Sequence, residues 1–195
     1  MDRRSHRHAV RKYADDRGVA LVEFAMVLLP LLLLLGGILE VGPAYRDSLR
    51  FEQATRTAAR VAANLTNDDQ ADRESLRALN SVLDSDSLDM VEYIVIYELD
   101  ASGDMPSTCH VASTWVCNRY EPDQLADLDD DASWGCGPAA HDRHWCPTSR
   151  APELTAPVDL GVFVKARRDW TTGLIPGDGV ELENETVMRL DPLNR

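Results

Sequence analysis

The chain has 195 residues, 44% hydrophobic and 27% charged, with 20 Lys+Arg against 33 Asp+Glu and a formal net charge of −13. That length suffices for one compact domain with extra segments and is short for two full ones. The acidic balance excludes a general nucleic-acid binder, because most of the surface would repel a polyanion, and the composition excludes wholesale disorder and collagen-like or low-complexity chains.

The averages hide an asymmetry at the start of the chain. Residues 1–18 carry Arg3, Arg4, Arg7, Arg11, Lys12 and Arg17 against Asp2, Asp15 and Asp16, so this leader is +3 and the remainder is −16 (−13 − 3). Residues 19–39 follow, an apolar run with one charge. About 20 apolar residues at roughly 1.5 Å each cross roughly 30 Å of hydrocarbon, so the run reads as a transmembrane helix. Pro30, Gly36 and Gly37 would weaken a helix in water, but lipid offers the backbone no other partner; a kink is expected near Pro30. Short basic flanks stay on the cytoplasmic side, which places the leader in the cytoplasm and residues 45–195 outside. A cleaved signal peptide ending at Gly42-Pro43-Ala44 is the competing reading. The length of the run and the glutamate inside it argue against that.

The glutamate is Glu23, four residues into the span. A carboxylate placed in an apolar span costs about 2.5–3.5 kcal/mol even on the lenient insertion scale, unless it reaches interfacial water. Gly18 closes the polar leader, Glu23 is the fifth residue after it and Phe24 follows at once. This Gly-x-x-x-x-Glu-Phe arrangement resembles the processing site of type IV prepilins, in which a membrane aspartyl peptidase cuts after the glycine. Cutting there would create an ammonium at Val19, and a carboxylate one helical turn on, in the same or a neighbouring subunit, can neutralise it. A paired charge is far cheaper to bury than two lone ones.

From Tyr45 to Leu65 the pattern is amphipathic, with Phe51, Ala54, Ala58, Val61 and Leu65 on one stripe and Glu52 and Arg56 paired at i, i+4. This predicts a helix continuing the membrane span outward, with a bend at Gly42-Pro43 and an alanine-rich face suited to close packing. Arg17 through Glu40, with its proline after a short apolar run and glycines near the end of the span, followed by the Ala-Ala-Arg60 repeat, resembles the TadE/TadF-like family over about residues 17–63. Its members are pilin-like proteins of the tight-adherence (Tad, Flp-type) system. The resemblance implies a structural minor pilin or pseudopilin of a Tad-type pilus used in adhesion or secretion. It also implies handling by a prepilin peptidase at Gly18 and Val19, an assembly role for Glu23 and Phe24, and membrane lipid, other pilin subunits and the Tad assembly machinery as partners. Asp15 and Asp16 depart from a purely basic leader.

Beyond the long helix, residues 72–84 predict a second helix carrying Leu76, Leu79, Val82 and Leu83 on one side. Residues 91–99, 160–167 and 180–190 predict three strands, and Asp100 to Gly103 a turn. A small antiparallel sheet packed on the outer part of the long helix gives an α+β fold, interrupted by an insertion at about 104–157. Trp170, Leu174 and Ile175 sit in a Gly/Pro-rich turn, either as a contact for a partner or the bilayer surface, or folded back over the sheet edge.

Cys109, Cys117, Cys136 and Cys146 fall in the extracytoplasmic part, an even number in an oxidising setting with three possible connectivities. Proximity favours Cys109 with Cys117 and Cys136 with Cys146. Cys136, His141, His144 and Cys146 are zinc-type ligands at a spacing that fits no standard module, and His110 is an extra. Asp127, Asp129, Asp131 and Ser133 alternate like a calcium loop, but Ala132 and Pro138 stand where glycine and a bidentate glutamate are needed. There is no Gly-rich phosphate loop, no His-Glu-x-x-His and no Gly-x-Ser-x-Gly, so neither an enzyme nor a cofactor is expected. The alternative function is a membrane-anchored or secreted disulfide-stapled binding domain unrelated to pili.

Overall fold

The computed structural model describes residues 6–126, 128–150, 158–173 and 175–190, with side chains from residue 18 onward except that of residue 131. It forms two compact units: the chain through Pro43 together with Trp170–Gly177, and Ala44–Asp169 together with the chain from Asp178 on.

The first element, α1, is a single helix over His6–Leu65 that contains both Pro30 and Pro43. It begins well before the expected start at residue 19. In the first unit nearly all its large apolar side chains are bare: Val19 is 58% exposed, Met26 72% and Leu39 66%. A helix that is apolar and exposed all round has no place in water, and this is the one helix among the described residues long and apolar enough to cross a membrane.

In the second unit, the stretch of α1 from Ala44 to Leu65 packs on a sheet. Its buried stripe is Phe51, Ala54, Thr55, Ala58, Ala59 and Ala62. The expected stripe continued through Val61 and Leu65, which are only half-buried. A straight helix repeats every 3.6 residues, so the line through Phe51 drifts onto Ala62. The alanines let the helix axis approach the strands closely. Two polar ties fix the register: the Thr55 and Thr186 hydroxyls lie 3.2 Å apart, and Asp47 pairs with Arg168.

The second helix is α2, Ala71–Asn80, and the chain then restarts as a single turn, α3, Ser85–Leu88. One helix through residue 84 was expected. Asp84 ends that possibility, because its carboxylate accepts the Ser87 amide (3.0 Å) as an N-cap and so begins a new helix.

The sheet has four antiparallel strands in the order β2-β1-β3-β4, with β1 Val91–Glu98, β2 Cys117–Tyr120, β3 Asp159–Asp169 and β4 Gly179–Arg189. The sequence predicts three of them. β2 comes from the insertion, pairs Ile94 with Tyr120 through Tyr97 with Cys117, and has no alternating apolar pattern to announce it. Both faces of β1 are covered. Ile94 and Ile96 join Phe51, Leu76 and Leu79 on the helix side, while Tyr93, Val95 and Tyr97 cluster with Phe163 and the Cys109–Cys117 disulfide on the other. Gly161 on β3 makes room for the second cluster, since a Cβ there would lie 2.1 Å from the Tyr97 ring.

Candidate functional site

The N-terminal site residues lie along the exposed helix of the first unit. Gly18, Val19, Glu23 and Phe24 are all exposed, with Phe24 at 63%. Four residues separate Val19 from Glu23, about one helical turn or roughly 6 Å of rise. Among the described residues no ion pair reaches Glu23. A Cβ added at Gly18 would meet nothing within 4 Å, so packing within this chain does not require a glycine there.

At the far end of the apolar run stands Glu40, 1% exposed. Its carboxylate accepts the backbone amides of Thr171 (2.9 Å to Oε2) and Thr172, both in the turn between β3 and β4. The turn therefore folds back, but onto the helix of the first unit rather than over the sheet edge. Trp170 and Ile175 are half-buried there, and Leu174 lies outside the described residues. No sequence pattern announces this clasp. The available signal is an acid placed at the last turn of an apolar span.

Two disulfides close short loops within the insertion, Cys109–Cys117 and Cys136–Cys146, the pairing that proximity favoured. Because Cys136 and Cys146 are joined to each other, neither offers a thiolate, and the zinc alternative loses half of its ligands. His141 Nδ1 contacts Gln124 at 2.8 Å and His110 Nδ1 contacts the Tyr93 hydroxyl at 3.1 Å. No group of three or more His, Cys, Asp or Glu is placed to hold a metal ion among the described residues. In the acidic loop Asp129 pairs with Arg77, and Asp130 caps the next turn through the Ala132 amide and the Ser133 hydroxyl; those hydrogen bonds hold the Asp130 carboxyl below its usual range. Asp127 lies outside the described residues.

Beneath the insertion runs a buried polar network that ties it to α2. Arg150 grips both oxygens of Asp72 (2.5 and 2.7 Å), donates to the Trp145 carbonyl and stacks 3.8 Å above the Trp145 ring. Asn118 on β2 donates to Asp72 and to the Trp145 carbonyl, and accepts the Trp145 amide. The Tyr120 hydroxyl lies 2.6 Å from Asp72 and 2.9 Å from Asp142, whose other oxygen accepts the Gly135 amide. Burial, reinforced by the Asp72 charge, pushes the Asp142 carboxyl up to about 7, and burial drives the Tyr120 phenol well above its ordinary value. These groups share no motif, being spread over residues 72 to 150. They hold the insertion in shape, and nothing about them is arranged around an open cleft.

The disulfide loop ahead of β2 leaves Val111 and Trp115 79% and 81% exposed, and a groove runs beside Trp115 past Leu99, Pro106 and Thr108.

A bare apolar helix ahead of a small disulfide-stapled α+β domain defines a single-pass, membrane-anchored class of protein. Residues 18–60 match the model of the TadE family, described as TadE-like protein. The resemblance read from Arg17 to Ala63 therefore holds over that segment, and the matched family is pilus-associated and structural. No curated protein and no solved structure matches the chain.

Proposed function

We propose that the protein is a minor pilin or pseudopilin of a Tad-type pilus, non-catalytic, anchored by residues 19–39 with the leader in the cytoplasm and the disulfide-bearing domain outside. The observation that carries this reading is the TadE-like match over residues 18–60, which begins at the glycine of the processing pattern. Two features support it. Gly18 has open space around it and no backbone demand within the chain, so its identity finds a reason in recognition by a prepilin peptidase. Glu23 has no ionic partner among the described residues, and a carboxylate near lipid needs one.

In this reading the peptidase cuts between Gly18 and Val19, and the new Val19 ammonium lies one helical turn from a Glu23 carboxylate. Pairing the Glu23 of one subunit with the Val19 of another draws subunits into register while removing two costly charges from the bilayer edge. The exposed apolar surface around Phe24 then exchanges lipid for neighbouring helices. Glu23→Gln tests this directly. The variant is expected to insert into membranes as the parent does and to lose co-purification with other pilin subunits; retention of that co-purification would contradict the alignment role.

A further inference from the structure

We infer that the turn between β3 and β4 is a membrane-interface element, seated in the headgroup layer of the bilayer and held there by Glu40. This rests on the reading of α1 as a membrane-spanning helix.

The depth follows from the clasp. The apolar run 19–39 is centred near Leu29, and Glu40 lies eleven residues further on. At roughly 1.5 Å per residue that is about 16 Å, close to half of the roughly 30 Å hydrocarbon thickness. Groups bonded directly to the Glu40 carboxylate share its depth, and these are the amides of Thr171 and Thr172.

The chemistry suits that depth. A carboxylate at the hydrocarbon edge has lost part of its water, and two backbone N–H donors replace it with charge-assisted hydrogen bonds. The same bonds satisfy two amides that lipid could not. The rest of the turn matches the interface as well. Trp170, half-buried in the turn with its indole Nε1–H enclosed by protein, is the side chain type that settles at the headgroup level. Ile175 and the exposed Pro176 give the turn an apolar side, while exposed Thr171, Thr172 and Gly173 give it a polar one. The helix beside it is apolar on its surface, with Ile38 67% and Leu39 66% exposed. The partner of this surface is thus lipid, met at the boundary between acyl chains and headgroups.

The test uses full-length protein reconstituted into phosphatidylcholine vesicles containing phosphatidylglycerol. All four native cysteines are in disulfides, so a single introduced cysteine takes a nitroxide label selectively. Three positions are labelled separately: Leu32→Cys in the span, Thr171→Cys in the turn, and Asp86→Cys on exposed α3. Collisions with oxygen, which concentrates in lipid, and with a water-soluble nickel chelate report depth. Leu32 is expected to show oxygen collisions only, Asp86 to be fully open to nickel, and Thr171 to fall between them, with a loss of nickel collisions relative to Asp86. Adding Glu40→Ala is expected to return the Thr171 label to the Asp86 value, with the near-ultraviolet circular dichroism of the domain unchanged. A Thr171 label as open to nickel as Asp86 in the parent, with Leu32 in lipid, overturns this inference alone. A Leu32 label in water overturns the spanning reading beneath it.

Discussion

Tyr120 has one proton to give, yet its oxygen is within hydrogen-bonding distance of both Asp72 and Asp142. The Tyr120 proton goes to Asp72, the oxygen pair that Arg150 also grips, and the proton that Asp142 retains closes the second contact, from Asp142 to Tyr120, while the other Asp142 oxygen keeps the Gly135 amide. Asp142 thus retains a proton in the fold up to about pH 7 that it gives up near pH 4 when unfolded. A raised folded pKa contributes stability that is complete below the unfolded value and lost as pH rises through the folded one. The domain is expected to lose stability between about pH 4 and pH 7, by at most about 1.4 kcal/mol per pH unit from this group. Asp142→Asn reproduces the protonated acid, with its amide nitrogen toward Tyr120 and its oxygen toward Gly135. Chemical denaturation should find the variant close to the parent at pH 4 and increasingly more stable than it toward pH 8; equal pH slopes would remove Asp142 from this role. None of the network was legible in the sequence, because its members are apolar neither in pattern nor in spacing and meet only when the insertion closes over α2. Glu40 was hidden for a similar reason, since its partners are backbone amides about 130 residues away in the chain.

At the scale of elements, periodicity carried most of the reading. The long helix, β1 and the β3–β4 pair each supply many residues of one pattern; the strands formed close to their expected limits, and the helix ended at Leu65 as expected but began at His6 rather than at residue 19. Short elements did not speak in the same way. β2 is four residues held by a disulfide and by Asn118, and the α2–α3 break is decided by one capping aspartate. The disulfide pairing was legible because each bridge closes a short local loop, with separations of 8 and 10 residues. The alanine stripe of α1 gives little area per residue, so Phe51, fully buried between α1 and the sheet, bears a large share of that interface. Phe51→Ala should cost about 3–5 kcal/mol in denaturant titrations of the membrane-reconstituted protein. A loss under about 1 kcal/mol would mean the helix is held chiefly by its polar ties at Thr55 and Asp47.

At the scale of the whole molecule, charge and hydropathy divide the chain into a basic leader, a bare apolar helix and an acidic, disulfide-stapled domain. The third closes its own core from Phe51 onward, and the described residues of the first two contribute no side chain to that core. In the proposed reading they supply a route into the membrane and a surface for neighbouring helices. The lone acid of that surface, Glu23, is explained in this account by a compensating ammonium that exists only after cleavage. Mass spectrometry of the N-terminus of the protein extracted from cell membranes therefore bears on the central claim most directly. The account predicts a chain beginning at Val19; one beginning at Met1 or at Tyr45 would contradict it.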